Sequence, residues 1–174
     1  MANILIVDDH PANRQYLGKL LGYSGHHLLE ASNGAEALKL ACSAHPDLII
    51  SDILMPEVDG FQFVRQLRTD PTTTYTPVIF YTAVYGESEV RQIVKDCHAT
   101  HFLAKPSEPQ NLLNKINAVL RLSNSRIAPV PSEDFDQEHQ QLLTNKLFNT
   151  IAELELEVDE RKRVEQALRE AHDE

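Results

Sequence analysis

Residues 3–11 read NILIVDDHP: four apolar side chains, Ile4 to Val7, run straight into two adjacent carboxylates, Asp8 and Asp9. An unbroken apolar run of that length is the pattern of a strand covered on both faces, as in a parallel sheet; a half-exposed strand would alternate. Two like charges at the mouth of such a low-dielectric element repel each other, and the arrangement persists where a cation offsets the repulsion. The remaining sequence supplies both the other strands of such a sheet and a source of positive charge.

Strand-like runs recur at Leu28–Ala31, Leu48–Ser51, Val78–Tyr81 and His101–Ala104. Between them, apolar residues fall at helical spacing in residues 11–23, 34–44, 59–69, 87–97 and 107–122. Asn33-Gly34 and Asp59-Gly60 stand where helices begin, with Asp59 read as a cap, and Pro46, Pro77 and Pro106 flank strands without interrupting them. The alternation predicts an α/β fold, (βα)5, with a doubly wound parallel five-stranded sheet covered on both faces.

Charge divides the chain differently. Of the net charge of −10, residues 1–132 hold −2 and residues 133–174 hold −8. That balance argues against a sequence-independent nucleic-acid surface, which needs clustered Lys and Arg. No apolar stretch reaches the roughly 20 residues of a membrane span, and the first apolar run stops at two aspartates, unlike a signal peptide. Cys42 and Cys97 form neither a metal-ligand pattern nor a disulfide framework, which fits a cytoplasmic location.

The expected domains are 1–122, a linker at 123–136 (SNSRIAPVPSEDFD), and one long helix at 137–174. This last stretch lacks Gly and Pro, and Leu147, Ile151, Leu154 and Val158 recur at alternating four and three spacings, with a register slip expected near Arg161. A helix of 38 residues would be about 57 Å long, more than one small domain can cover, so a parallel coiled-coil homodimer is expected. Glu174 ends the pattern without a cap, so further protein is expected beyond it.

In a doubly wound sheet, ligands collect at the carboxyl ends of the strands. Asp8-Asp9, Asp52, Thr82 and Lys105-Pro106 all fall at such ends. Three carboxylates with no ring of His or Cys make a hard-oxygen site suited to Mg²⁺, and Lys105 is a second positive charge. A cation beside a free carboxylate favours phosphoryl transfer, which depends on positioning and charge neutralisation. Asp52 is the candidate nucleophile, Asp8 and Asp9 hold the metal, and Thr82 and Lys105 meet phosphoryl oxygens.

The stretches ILIVDDHPANR, PDLIISDILMPEVDGF, VIFYTA and FLAKP, in that order, resemble the receiver domain of two-component response regulators across residues 1–122. The resemblance implies a flavodoxin-like receiver fold with Asp52 as phosphoacceptor. It implies a metal held by Asp8, Asp9, Asp52 and the backbone carbonyl of Leu54. Thr82 and Phe102 are implied as the switch pair, Lys105 as the phosphate-pairing lysine, and a cis peptide is implied before Pro106. The implied partner is a histidine kinase or phosphotransfer protein, and the chain is implied to be no enzyme beyond its own aspartyl phosphorylation and dephosphorylation. The sequence departs from the family at His98-Ala99, where many members have Gly-Ala, and at Phe102, a ring without a hydroxyl. The segment EVDERKRVEQALREAHDE resembles coiled-coil linkers that lead into PAS-type or enzymatic output domains.

Two rivals remain. A phosphatase of the haloacid-dehalogenase type would need a second Asp two residues after the nucleophile, where this chain has Leu54. A receiver-like dimerisation module not regulated by phosphorylation would ignore a small phosphodonor. His10 stands next to the acids and could touch the pocket mouth. His98 and His101 straddle a loop and a strand and are not expected to hold a metal, and the residues around His172 lack the pattern of a kinase phosphohistidine.

Overall fold

The structure, a computed structural model, describes residues 1–83 and 101–122, with Val158, Arg161 and Lys162. The chain divides into two compact units, Met1–Glu133 and Asp134–Glu174. In the second unit the described residues are helical, with Val158 exposed. The helix expected over 87–97, His98-Ala99, the linker and the heptad seam apart from Val158 lie outside the described residues.

In the first unit, strands β1 (Asn3–Val7), β2 (His27–Ala31), β3 (Leu48–Ser51), β4 (Val78–Thr82) and β5 (His101–Ala104) pair in parallel in the order β2-β1-β3-β4-β5. Each lies within a residue of the run read from the sequence. Helices α1 (Pro11–Gly22), α2 (Gly34–Ala44), α3 (Gly60–Thr69) and α4 (Pro109–Leu122) cover it. The last begins two residues later than the apolar spacing indicated, because Pro109 is pre-organised for a first helical turn. Among the described residues no helix is long and apolar enough to cross a membrane.

Side chains alternate across each strand, so the sheet has two apolar faces. Ile4, Ile6, Leu48, Ile50, Ile79 and Tyr81 pack with Leu17 and Leu21 of α1 and with Leu112, Ile116 and Val119 of α4. On the opposite side Phe80 meets Phe61 of α3 edge-on, with ring centroids 5.2 Å apart. Both faces being covered accounts for the unbroken apolar run in β1, whose four residues are at most 1% exposed.

Helix starts follow the local chemistry. The Asn33 side chain accepts from Glu36 N, and the Asp59 side chain accepts from Gln62 N at 2.8 Å, so Asp59 is a cap. Gly60 is required by close approach: a Cβ there would lie 2.3 Å from the Asp52 carbonyl oxygen. That contact seats α3 against the loop that leaves β3, and so fixes where the chain after Asp52 goes.

Candidate functional site

The sheet order places β1 between β2 and β3, so connections leave in opposite directions on either side of β1 and open a crevice at its carboxyl end. Val7 is in register with Ser51, and Asp52 N donates to Val7 O at 2.8 Å, which brings Asp8 and Asp52 side by side. Thr82 is in register with Ala104, and Lys105 N donates to Thr82 O at 2.8 Å, carrying the lysine over the same mouth. The peptide bond between Lys105 and Pro106 is cis.

Lys105 Nζ donates to Asp8 Oδ2 at 2.6 Å and to Asp52 Oδ2 at 2.7 Å. One ammonium thus bridges two carboxylates, whose facing oxygens are no further apart than the sum of those bonds. Lys105 Nζ lies over the Tyr81 ring, 5.3 Å from its centroid. Burial pulls the Lys105 ammonium down, but the hydrogen bonds to Asp52 and Asp8 outweigh it and hold its pKa above the ordinary lysine value. The amine is therefore charged throughout the physiological range. Part of the positive charge that offsets the repulsion between Asp8 and Asp52 is therefore the side chain of Lys105, the residue that follows β5.

Asp8 is almost completely buried, at 2% exposure, and is pinned on every side. Asn13 Nδ2 donates to both of its carboxylate oxygens, at 3.0 and 3.1 Å, and His10 N donates to Oδ1 at 2.9 Å. Arg14 donates to the Asp8 carbonyl at 2.7 Å and pairs with Glu30 at 3.4 Å. Asn13 and Arg14 lie within the motif ILIVDDHPANR, but nothing in their spacing said that they would turn back onto Asp8; the first turn of α1 does that. Asp52 Oδ1 accepts from Ile53 N at 2.6 Å, which orients the carboxylate with Oδ2 toward Lys105.

The other expected site residues are placed less centrally. Asp9 is adjacent, but its carboxylate takes the His10 ring, Nδ1 to Oδ1 at 2.8 Å. That hydrogen bond, with the charge of Asp9, raises the His10 pKa above its ordinary 6.5. Leu54 is half-buried in the loop after Asp52. Thr82 is fully buried, and among the described residues its hydroxyl has no hydrogen-bond partner. Phe102 is half-buried in β5, opposite Phe80 in register.

A hard divalent cation fits this donor set. Asp8, Asp9 and Asp52 offer only oxygen, and among the described residues one donor atom from each of Asp8, Asp9 and His10 lies within 4.8 Å of the others. The buried orphan hydroxyl of Thr82 is a costly feature, worth about 1–3 kcal/mol unless a partner arrives, and it stands at the end of the strand beside Asp52.

A parallel sheet in this order, with two aspartates bridged by one lysine at its mouth, is the architecture of a signalling receiver. The family model for the response regulator receiver domain matches residues 4–117, and the chain belongs to that family. Among similar proteins, PilH of Pseudomonas aeruginosa is 42% identical over 120 residues, covering 69% of this chain and 98% of PilH. Response regulator PleD of Caulobacter vibrioides is 36% identical over 69% of this chain, but the match spans only 26% of PleD. The solved chemotaxis response regulator CheY4 of Vibrio cholerae superposes with a TM-score of 0.64 at 37% identity, over 68% of this chain and 98% of that one.

Proposed function

We propose that this chain is the phosphoacceptor of a two-component phosphorelay, switched by transfer of a phosphoryl group to Asp52 from a histidine kinase or phosphotransfer protein. A carboxylate oxygen of Asp52 attacks phosphorus in line, the P–N bond of the donor phosphohistidine breaks, and the leaving imidazole takes up a proton. The observation that carries the reading is the single Lys105 ammonium bridging Asp8 and Asp52. It keeps the nucleophile oriented and leaves a cation ready for the charge that arrives with phosphorus.

Asp8, Asp9 and Asp52, with the Leu54 carbonyl, are the residues to hold Mg²⁺. When bound, that ion neutralises charge on the phosphoryl oxygens. Thr82, whose buried hydroxyl lacks a partner among the described residues, donates to a phosphoryl oxygen and moves to reach it. Phe102 repacks in response, and the change at β4 and β5 alters how two receivers sit together. The segment 137–174 carries that change onward. The match to 26% of PleD supports a receiver that serves as one part of longer proteins.

Intact mass after incubation with acetyl phosphate and Mg²⁺ tests the chemistry. Wild type is expected to gain one phosphoryl group, and Asp52→Asn none. An unlabelled wild type would instead favour a receiver-like dimerisation module that phosphorylation does not regulate.

A further inference from the structure

His10 combines an occupied backbone with an exposed ring whose one side-chain hydrogen bond among the described residues is to Asp9. Its carbonyl accepts from Asn13 N and Arg14 N at 3.1 and 3.3 Å as α1 begins, and its own N–H donates to Asp8. The ring makes no cap hydrogen bond and is 71% exposed, so it can reorient without disturbing the core. Its Nδ1 lies 2.8 Å from Asp9 Oδ1 and 3.9 Å from Asp8 Oδ1. Donor atoms about 2.1 Å from one first-row cation are about 3 Å apart when adjacent and about 4.2 Å when opposite. The two distances from Nδ1 therefore fall within the spacing of one coordination sphere.

We propose that His10 sets which divalent cation the acidic mouth takes, adding an imidazole nitrogen to an otherwise all-oxygen donor set. The inference rests on the reading of Asp8 and Asp9 as cation-holding residues and goes beyond it in naming the ion. Magnesium gains little from imidazole, which it binds poorly, whereas zinc and nickel are suited to it. With carboxylates alone the site is a hard-oxygen site; with the His10 nitrogen as a further ligand it becomes a mixed N/O site that favours Zn²⁺. In the metal-bound form the ion takes the place of the proton between Nδ1 and Asp9 Oδ1, and that proton passes to solvent. The same site can then report on two ions: one that supports phosphoryl transfer and one that competes for its carboxylates.

Calorimetric titration of the full chain with Mg²⁺ and with Zn²⁺, each alone at pH 8, tests this in wild type, His10→Ala and His10→Gln. The Zn²⁺/Mg²⁺ affinity ratio is expected to fall about tenfold in both variants, since neither side chain offers a ring nitrogen. With eight histidines in the chain, assignment matters. Long-range ¹H–¹⁵N spectra are expected to show the His10 Nδ1 resonance moving with Zn²⁺. An unchanged ratio in both variants, or Zn²⁺ shifts confined to other histidines, overturns the role of His10. Failure of wild type to bind Mg²⁺ overturns the underlying reading of the acidic mouth as well.

Discussion

Lys105 and Asp52 stand 53 residues apart in the chain and meet at 2.7 Å at the mouth of the sheet, where the same lysine nitrogen also reaches Asp8. The ammonium belongs to neither acid alone, so its removal exposes both. In Lys105→Met, Asp8 faces Asp52 in a buried setting with the compensating charge gone. Breaking a buried ion pair costs about 3–5 kcal/mol, and the residual exposure of Lys105 places the expected loss at the lower end of that range. Urea unfolding should show the deficit in EDTA and a smaller one in Mg²⁺, because a bound cation substitutes for the lysine. An equal deficit in the two media would contradict the shared electrostatic role.

Asn13 holds both oxygens of Asp8 from the first turn of α1. Asn13→Ala leaves the carboxylate in place but free to rotate. The expected outcome is a Mg²⁺ affinity lower by about tenfold, read by calorimetry, since groups that orient a metal ligand typically carry 10–100-fold.

Thr82 buries a hydroxyl without a partner among the described residues. Replacing it with valine removes that cost, so Thr82→Val is expected to unfold at the same denaturant concentration or to gain up to about 1 kcal/mol. Phosphoryl labelling of Asp52, followed by intact mass, is expected to slow in the same variant. A clear loss of stability with unchanged labelling would remove Thr82 from the proposed chemistry.

The backbone around Gly60 leaves no room for a side chain: an added Cβ would meet the Asp52 carbonyl oxygen at 2.3 Å and Ile53 Cα at 2.9 Å. Both neighbours are main chain and cannot swing aside. Gly60→Ala should cost about 1–3 kcal/mol, as overpacking does, and should also depress labelling because the displaced segment carries Asp52. Melting and intact mass together check the pair of effects.

Stability should also fall as pH drops below 6.5. Burial lowers the pKa of His26, with the charged N-terminus adding to it, and lowers that of His101, with Lys115 adding to it. A base depressed in the folded state binds its proton more readily when unfolded, so protons favour the unfolded chain between the ordinary 6.5 and the lowered folded value. Glu36 and Asp70 are lowered too, but their losses fall below their ordinary 4.5 and 3.8, in a separate window. Urea midpoints at pH 8 and pH 5.5 should differ less in the His26→Gln, His101→Gln double variant than in wild type. His10, raised by Asp9, works in the opposite sense, stabilising below 6.5 and losing that contribution as pH rises through its folded pKa.

Strand positions were legible in the sequence because a strand buried on both faces reads as an unbroken apolar run, and Ile4–Val7, Leu48–Ile50 and Val78–Tyr81 are such runs. Helix starts at Asn33 and Asp59 were legible because capping is local: a side-chain oxygen finds an N–H three residues on. The convergence of Asp8, Asp52 and Lys105 could also be foreseen, since all follow strand ends and a parallel sheet aligns those ends. What remained hidden depends on contacts between distant segments or on the direction of a side chain. Asn13 and Arg14 turn back onto Asp8 only through the path of α1, and Asp9 pairs with His10 instead of joining the lysine bridge. The sequence by itself determined which residues form the sheet and which chemistry collects at its mouth, through local periodicity and residue type. The tertiary structure decided strand order and the sharing of one ammonium between two acids, because long-range register sets both.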